Sequence, residues 1–266
     1  MQLTMLGVGS SAGTPMLGCK CETCMSSDPR NNRTRCSSLI ELNNGKVILI
    51  DTGPDLRSQS LREGLTHIDA VLYTHTHADH LHGIDDLRGF CQIQRSQIPL
   101  YGSADAMAHI IDKFGYTLRE PSDFWDLPVL KVNAVSEPFF LFNQKVTPIP
   151  LMHGHCMIYG YRIDDIAYLT DVSAIPESSL DLLSGLKLLL LDCLRYTPHY
   201  THINLDQSLH YASLIKAEST YLIHMTHELE YSALSLQLPE NVFVGYDGLK
   251  IMVDGVSAEV NEHALS

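Results

Sequence analysis

Thr74-His75-Thr76-His77-Ala78-Asp79-His80 puts three imidazoles and a carboxylate into six consecutive residues, directly after the apolar run Ala70-Val71-Leu72-Tyr73. The apolar run reads as the end of a buried strand and His80 as the opening of a helix, so the polar residues fall on a strand-to-helix loop, where side chains can converge on one point. Neutral imidazole and carboxylate suit zinc, iron or manganese, and four such groups in one run suggest two adjacent ions sharing the ligands. A solvated His-rich loop is the plain alternative, but it leaves the pattern further along the chain without an explanation.

That pattern is a set of polar residues, each directly after an apolar run. His153 follows Thr147-Pro148-Ile149-Pro150-Leu151-Met152, Asp171 follows Tyr168-Leu169-Thr170, and His224 follows Tyr221-Leu222-Ile223. Taken singly, each histidine reads as a satisfied core or surface residue and Asp171 as a cap or turn residue. Together with the opening run they supply five histidines and two aspartates, and the combination weighs against reading each one singly.

A second cluster lies near the N-terminus, in Gly18-Cys19-Lys20-Cys21-Glu22-Thr23-Cys24. Its surroundings are polar, unlike a core segment. Three thiolates this close need a fourth ligand to close a tetrahedral zinc site. His227, three residues after His224, is the best candidate. Seven cysteines, three of them within six residues, point to metal binding in a reducing compartment over a disulfide framework. Cys91, Cys156 and Cys193 read as core residues.

The 266 residues are 45% hydrophobic and 18% charged, with near-neutral mean hydropathy, as in ordinary soluble proteins. The chain is long enough to bury a sizeable core, and without repeats, low-complexity segments or linkers it reads as one domain over 1–266 with a Cys-rich segment around 18–25. A net charge of -13 argues against a stable nucleic-acid partner, since polyanion binding rests on Lys and Arg neutralising phosphates. Small phosphorylated ligands remain compatible, because bound cations add positive charge that the count omits. No stretch matches a membrane span or an export signal, which gives a cytoplasmic expectation. The oligomeric state is left open, a homodimer included.

Strand-like runs cover Gln2-Leu6, Ser38-Leu42, Val47-Ile50, Ala70-Thr74, Val146-Met152, Met157-Ile163, Ala167-Leu169, Leu186-Leu191, Thr220-Ile223 and Val242-Val244, with Phe139-Phe142 as a further apolar strand. Asn43-Asn44-Gly45 has hairpin chemistry. Helical patterns cover Asp55-Gly64, Asp105-Phe114 and Asp206-Lys216, the last after Asn204 as N-cap. Early hairpins followed by strands alternating with helices predict two packed sheets with helices outside.

The His-x-His-x-Asp-His run with a later His, Asp and His resembles the metallo-beta-lactamase superfamily of metallohydrolases. The resemblance implies an α/β (α+β) four-layer αββα sandwich with a two-metal site along the sheet edges. It assigns His75, His77 and His153 to one metal, Asp79, His80 and His224 to the second, and Asp171 to the bridge. Asp51, in Ile50-Asp51-Thr52-Gly53, matches an acidic residue that supports the metal-binding loop from behind, though turn capping is also open to it. A bridging Asp, where true beta-lactamases commonly carry Cys, points to phosphodiester hydrolysis. Two ions ~3.5–4 Å apart can hold a hydroxide and stabilise both oxygens of an in-line displacement.

The Cys-x-Cys-x-x-Cys run, Cys36, the His motif and the His-x-x-His of His224 and His227 together resemble the PhnP-type phosphodiesterases. Those enzymes hydrolyse cyclic phosphates, including phosphoribosyl 1,2-cyclic phosphate and 2',3'-cyclic nucleotides, with a dinuclear site, typically manganese, and a separate structural zinc. The resemblance implies two divalent ions (Mn or Zn) at the active site, a zinc on Cys19, Cys21, Cys24 and His227, and a small phosphodiester as substrate. It casts Asp79 and His202 as catalytic, with His202 as general acid or charge stabiliser, the other reading being a surface His before a helix. His155 stands where that family has a Lys. His82, His199 and His210 are open between substrate-facing, supporting and solvated roles, and Tyr196, Tyr200 and Tyr231 are candidates to line a pocket. An RNase Z-like nuclease shares the seven ligands but would carry a basic RNA-gripping arm. A PqqB-like protein or a metal carrier would bind metal without hydrolysis.

Overall fold

The computed structural model describes residues 1–119 and 130–253. The predicted domain extent also takes in 120–129 and 254–266, which lie outside the described residues. In chain order the strands are β1 (Gln2–Gly7), β2 (Ser37–Glu41), β3 (Val47–Ile50), β4 (Ala70–Leu72), β5 (Pro99–Gly102), β6 (Lys131–Ala134), β7 (Phe139–Leu141), β8 (Gln144–His153), β9 (Cys156–Ile163), β10 (Ile166–Leu169), β11 (Leu188–Asp192), β12 (Ser219–Ile223), β13 (Val242–Val244) and β14 (Lys250–Met252). The helices are α1 (Leu56–Glu63), α2 (Ala78–Leu81), α3 (Leu87–Gln94), α4 (Ala104–Phe114), α5 (Glu177–Leu180), α6 (Leu205–Ile215) and α7 (Tyr231–Ser235).

Two sheets result, ordered β14-β1-β2-β3-β4-β5-β6 and β13-β12-β11-β10-β9-β8-β7. Each is antiparallel through its hairpins, and β3 to β6 and β10 to β13 are parallel. Parallel neighbours need crossovers, and the helices supply them. The side-chain alternation of a strand then separates the layers. Ile48, Ile50 and Leu72 join Ile149, Leu151 and Tyr161 between the sheets, while Leu49, Val71 and Leu100 pack outward on Leu56 of α1, Phe90 of α3 and Ile110 of α4. On the far side Leu205, Ala212 and Ile215 of α6 join the core that contains Leu189 and Leu191. The outcome is the αββα sandwich that the resemblance implied.

This topology positions the site, because parallel strands all end at the same edge. β3 runs into Asp51, β4 into the His motif, β10 into Asp171, β11 ends at Asp192, and β12 runs into His224. β8 is antiparallel to β9, which is antiparallel to β10, so β8 shares the direction of β10 and brings His153 to that edge.

Several boundaries differ from expectation. β4 stops at Leu72 and α2 begins at Ala78, so Asp79 and His80 occupy a helical turn and not a loop. The four-residue spans β5 and β6, the three-residue β14 and the helix α3 were not anticipated, since such short segments are decided by the neighbours they pair with or cover. Cys156 is exposed at the start of β9, correcting its core assignment, whereas Cys91 and Cys193 are buried. The residue is hydrophobic enough for a core but sits at the tip of a hairpin, where nothing covers it.

Asn204 caps α6 as expected and forms a full capping box with Gln207. Asn204→Ala is expected to lower stability by about 0.5–2 kcal/mol, measured by urea unfolding.

Candidate metal centre and its neighbours

The structure brings all seven predicted ligands together in the two predicted groups. Ligand atoms of His75, His77, His153 and Asp171 lie within 4.8 Å of one another, as do those of Asp79, His80, Asp171 and His224. Asp171 belongs to both. His80 Nε2 stands 3.0 Å from an Asp171 oxygen and 3.3 Å from Asp79, and His224 Nε2 3.4 Å and 3.6 Å from the same two carboxylates.

Backbone and buried polar groups aim these side chains. Asp51, Asp171 and His224 adopt left-handed φ of 61°, 58° and 59°, a conformation uncommon outside glycine and concentrated at functional sites. Asp51 is fully buried. It accepts 2.8 Å hydrogen bonds from the Thr74 N–H and Oγ1 and faces His80 Nδ1 at 2.7 Å, so it ties the motif loop to β3 and turns His80 Nε2 inward. His153 donates Nδ1–H toward the carbonyls of Asp171 (2.9 Å) and Thr201 (3.0 Å), which leaves Nε2 for the site. The loop packs closely too: a Cβ on Gly53 would meet the Asp79 carbonyl at 2.3 Å.

Charge and burial favour a cation. Burial by itself raises the Asp171 carboxyl, but the imidazoles of His224 and His80 outweigh it and hold the group well below the usual carboxylate range. Burial, reinforced by the neighbouring His80, keeps the His75 imidazole neutral. Nε2 of His75, His80 and His224 is buried in each case without a hydrogen-bond partner. Buried polar atoms are rarely left unpaired, and these point at one another's space, so the donor set fits divalent metal.

The thiolate cluster closes as expected. Sγ of Cys19, Cys21 and Cys24 stands 3.2, 3.3 and 3.4 Å from His227 Nδ1. A tetrahedral zinc with bonds of about 2.3 Å to sulfur and 2.0 Å to nitrogen has an S···N edge of about 3.5 Å, so this set fits that ion. Cys36 is buried outside this group.

His202 is nearly buried, at 9% exposure. Its ring stacks on His224 at 4.8 Å and meets His153 edge-on at 4.9 Å, which removes the surface reading. His199 lies 5.4 Å from it. His82, His155 and His210 are exposed and outside both metal groups. Tyr196 and Tyr200 are exposed, and Tyr231 packs under the Arg30 guanidinium at 4.0 Å. The residue that sequence reasoning missed is Asp192, buried between His202 and His224. The signal existed: Asp192 follows Leu188–Leu191 as Asp171 follows its own apolar run.

Comparison with known proteins agrees with this geometry. The family described as beta-lactamase superfamily domain matches residues 46–225. The chain belongs to the metallo-beta-lactamase superfamily. A crystal structure described as a new diphosphatase from the PhnP family is 41% identical, with a TM-score of 0.89 over 95% of this chain and 98% of that one. The zinc-bound PqqB of Methylobacterium extorquens shares the fold at 21% identity and a TM-score of 0.75, covering 95% of this chain and 100% of that one. A Porphyromonas gingivalis protein named octanoyltransferase is 36% identical over 96% of this chain, which spans about half (52%) of that relative's length. Its likeness to the PhnP-family structure places it near that type within the superfamily, and its donor set fits the metal-dependent chemistry of such proteins. No described helix is long and apolar enough to cross a membrane.

Two substitutions separate folding from chemistry. Cys21→Ser is expected to reduce soluble yield and thermal stability together with one equivalent of zinc, because closing such a site contributes folding free energy. Asp171→Asn is expected to abolish turnover with the melting transition retained, read by calorimetry beside elemental analysis.

Proposed function

We propose that the protein is a metal-dependent hydrolase, a phosphodiesterase acting on small cyclic or linear phosphodiesters. The observation that carries the reading is the buried His202 imidazole set beside the two metal groups, its Nε2 3.8 Å from the shared Asp171 carboxylate. His75, His77 and His153 would hold one divalent ion, Asp79, His80 and His224 the other, with Asp171 between them, and Cys19, Cys21, Cys24 and His227 would hold a structural zinc. When bound, two such ions activate water and neutralise the charge that develops on phosphoryl oxygens.

The protein's own part is positioning and proton transfer. Asp51 and the Asp171 carbonyl fix the orientation of His80 and His153. His202, anchored by its ring stacking, holds a proton at Nε2 for the oxygen that leaves phosphorus. The charge of -13 supports a small substrate over a polynucleotide. The PhnP-family neighbour's description as a diphosphatase gives a second reading, displacement at a diphosphate, which uses the same positioned groups.

A screen of metal-loaded enzyme on 2',3'-cyclic nucleotides, linear diesters, nucleoside-linked diphosphates and precursor tRNA discriminates these readings. Turnover of cyclic or linear diesters is expected to lead, and a preference for the diphosphates or the tRNA would displace the proposal. His202→Ala is expected to slow a cyclic ribose phosphate by ~10²–10⁴-fold, and a p-nitrophenyl ester far less, since that leaving group departs without a proton. Equal losses on both would assign His202 to substrate positioning.

A further inference from the structure

The loop that follows β11 carries aromatic rings from the candidate metal centre out to solvent. His202 packs against His224 and His153 with ring centroids 4.8 and 4.9 Å away, His199 lies 5.4 Å from His202, and Tyr200 lies 4.8 Å from His199 with its ring tilted by 31°. Exposure rises in the same order: His202 is at 9%, His199 is half-buried and Tyr200 is at 83%. The loop is fixed even where it is exposed. The carbonyl of Tyr196 accepts from Asn204 Nδ2 at 3.0 Å, that of Thr197 from Arg195 Nε at 3.1 Å, and that of Pro198 from Arg195 Nη2 at 3.0 Å. Thr201 fastens the far end: its carbonyl accepts from His153 Nδ1 at 3.0 Å, and its methyl group lies where a Cβ on Gly154 would meet it at 3.0 Å.

The same residue sets the His199 proton. Thr201 N–H donates to His199 Nδ1 at 3.3 Å, and Thr201 Oγ1 stands 3.0 Å from that atom. Burial, with His202 and Arg195 nearby, pushes the imidazole down, so the ring is neutral. A neutral ring that accepts at Nδ1 carries its proton on Nε2, and that N–H has no hydrogen-bond partner among the described residues. We propose that His199 and Tyr200 form the subsite for the leaving group of the diester, with His199 Nε2–H on an oxygen of its sugar and Tyr200 stacked on a planar base farther out. The proposal rests on the role given to His202 above: a proton donor stands beside the oxygen that leaves, so groups on its solvent side meet the alcohol that departs with that oxygen. A single neutral donor suits a hydroxyl or ether oxygen, whereas charged phosphate oxygens are usually met by Arg or Lys. Arg195, the cation of this loop, is occupied by the loop's own carbonyls. An aromatic face accepts any nucleobase, because every base has a π-face. The substrate class is therefore a nucleoside phosphodiester whose leaving oxygen belongs to the ribose.

The test compares two substrates with the same scissile group on manganese-loaded enzyme: 2',3'-cyclic AMP, and methyl ribofuranoside 2,3-cyclic phosphate, in which a methoxy group replaces the base. Tyr200→Ala is expected to raise KM for cyclic AMP by ~5–100-fold, the loss of one base stack, and to change it far less for the sugar phosphate, while Tyr200→Phe stays near the parent on both. His199→Ala is expected to raise KM by ~2–10-fold on both substrates, the loss of one hydrogen bond, and His199→Gln, which can place an N–H near the same point, to recover part of it. Throughout, kcat is expected to stay within a few-fold of the parent and manganese binding to be unchanged. A Tyr200→Ala variant with the parent's KM for cyclic AMP overturns the proposal, as does an equal loss on both substrates; loss of manganese in His199→Ala would make that residue part of the metal centre and overturn its assignment. If the parent turns over neither substrate, the phosphodiesterase reading fails separately, and titration calorimetry with adenosine 2'-monophosphate and with inorganic phosphate decides the subsite. Weaker binding of the nucleotide alone by Tyr200→Ala supports it, and equal binding by both proteins, or no nucleotide binding by the parent, overturns it.

Discussion

Asp171 is a carboxylate at 2% exposure surrounded by imidazoles, and the arrangement of the whole functional edge follows from keeping that charge compensated. An isolated buried carboxylate would take up a proton, because low dielectric penalises its charged form. Here His224 and His80 oppose that penalty strongly enough to keep it ionised. Such compensation requires side chains that follow β4, β10 and β12 to meet within ion-pair distance. Only the shared strand direction of the two parallel half-sheets allows it.

Local strain marks where that requirement is met. Asp51, Asp171 and His224 each turn sharply with positive φ at the end of a strand, which redirects the chain from the sheet and aims the side chain into the edge. Asp51 then carries the load from behind: it secures Thr74 and His80, and so sets the motif loop relative to β3. The close approach of Gly53 to the Asp79 carbonyl completes this clasp. The thiolate cluster does for the N-terminal segment what the core does elsewhere. Residues 18–25 are mostly polar and exposed, with too little apolar surface to order themselves, and a Cys3His group tied to His227 substitutes for hydrophobic packing.

His224 and His227 stand on one short stretch after β12 and link these two regions. The first belongs to the candidate metal centre and the second to the cysteine cluster, so the two groups share one backbone segment. His202 and Asp192 add a third group to the same edge, so that His202, Asp192 and His224 are neighbours in space though His202 and His224 stand on different loops.

The seven candidate ligands were legible in the sequence because His153, Asp171 and His224 each directly follow an apolar run, a local signal, and because the His motif packs four donors into six residues. The fourth partner of the thiol cluster, His227, was legible from its spacing to His224, and the N-cap of α6 from Asn204, whereas the full box with Gln207 appeared only in the structure. Asp192 obeyed the same local rule but stood alone, with no motif around it to set it apart from a strand-end aspartate. Short elements such as β5, β6 and β14 carry too few residues to show a period, and Cys156 cannot announce that it sits on a hairpin tip. The sequence by itself thus singled out the seven residues that converge on this edge, and its resemblance to the superfamily implied the sandwich that holds them. Only the tertiary structure decided that Asp192 lies between His202 and His224, because that contact arises from the register of β11 against β12 and from the return of the chain at Asn204, neither of which is written in any local stretch.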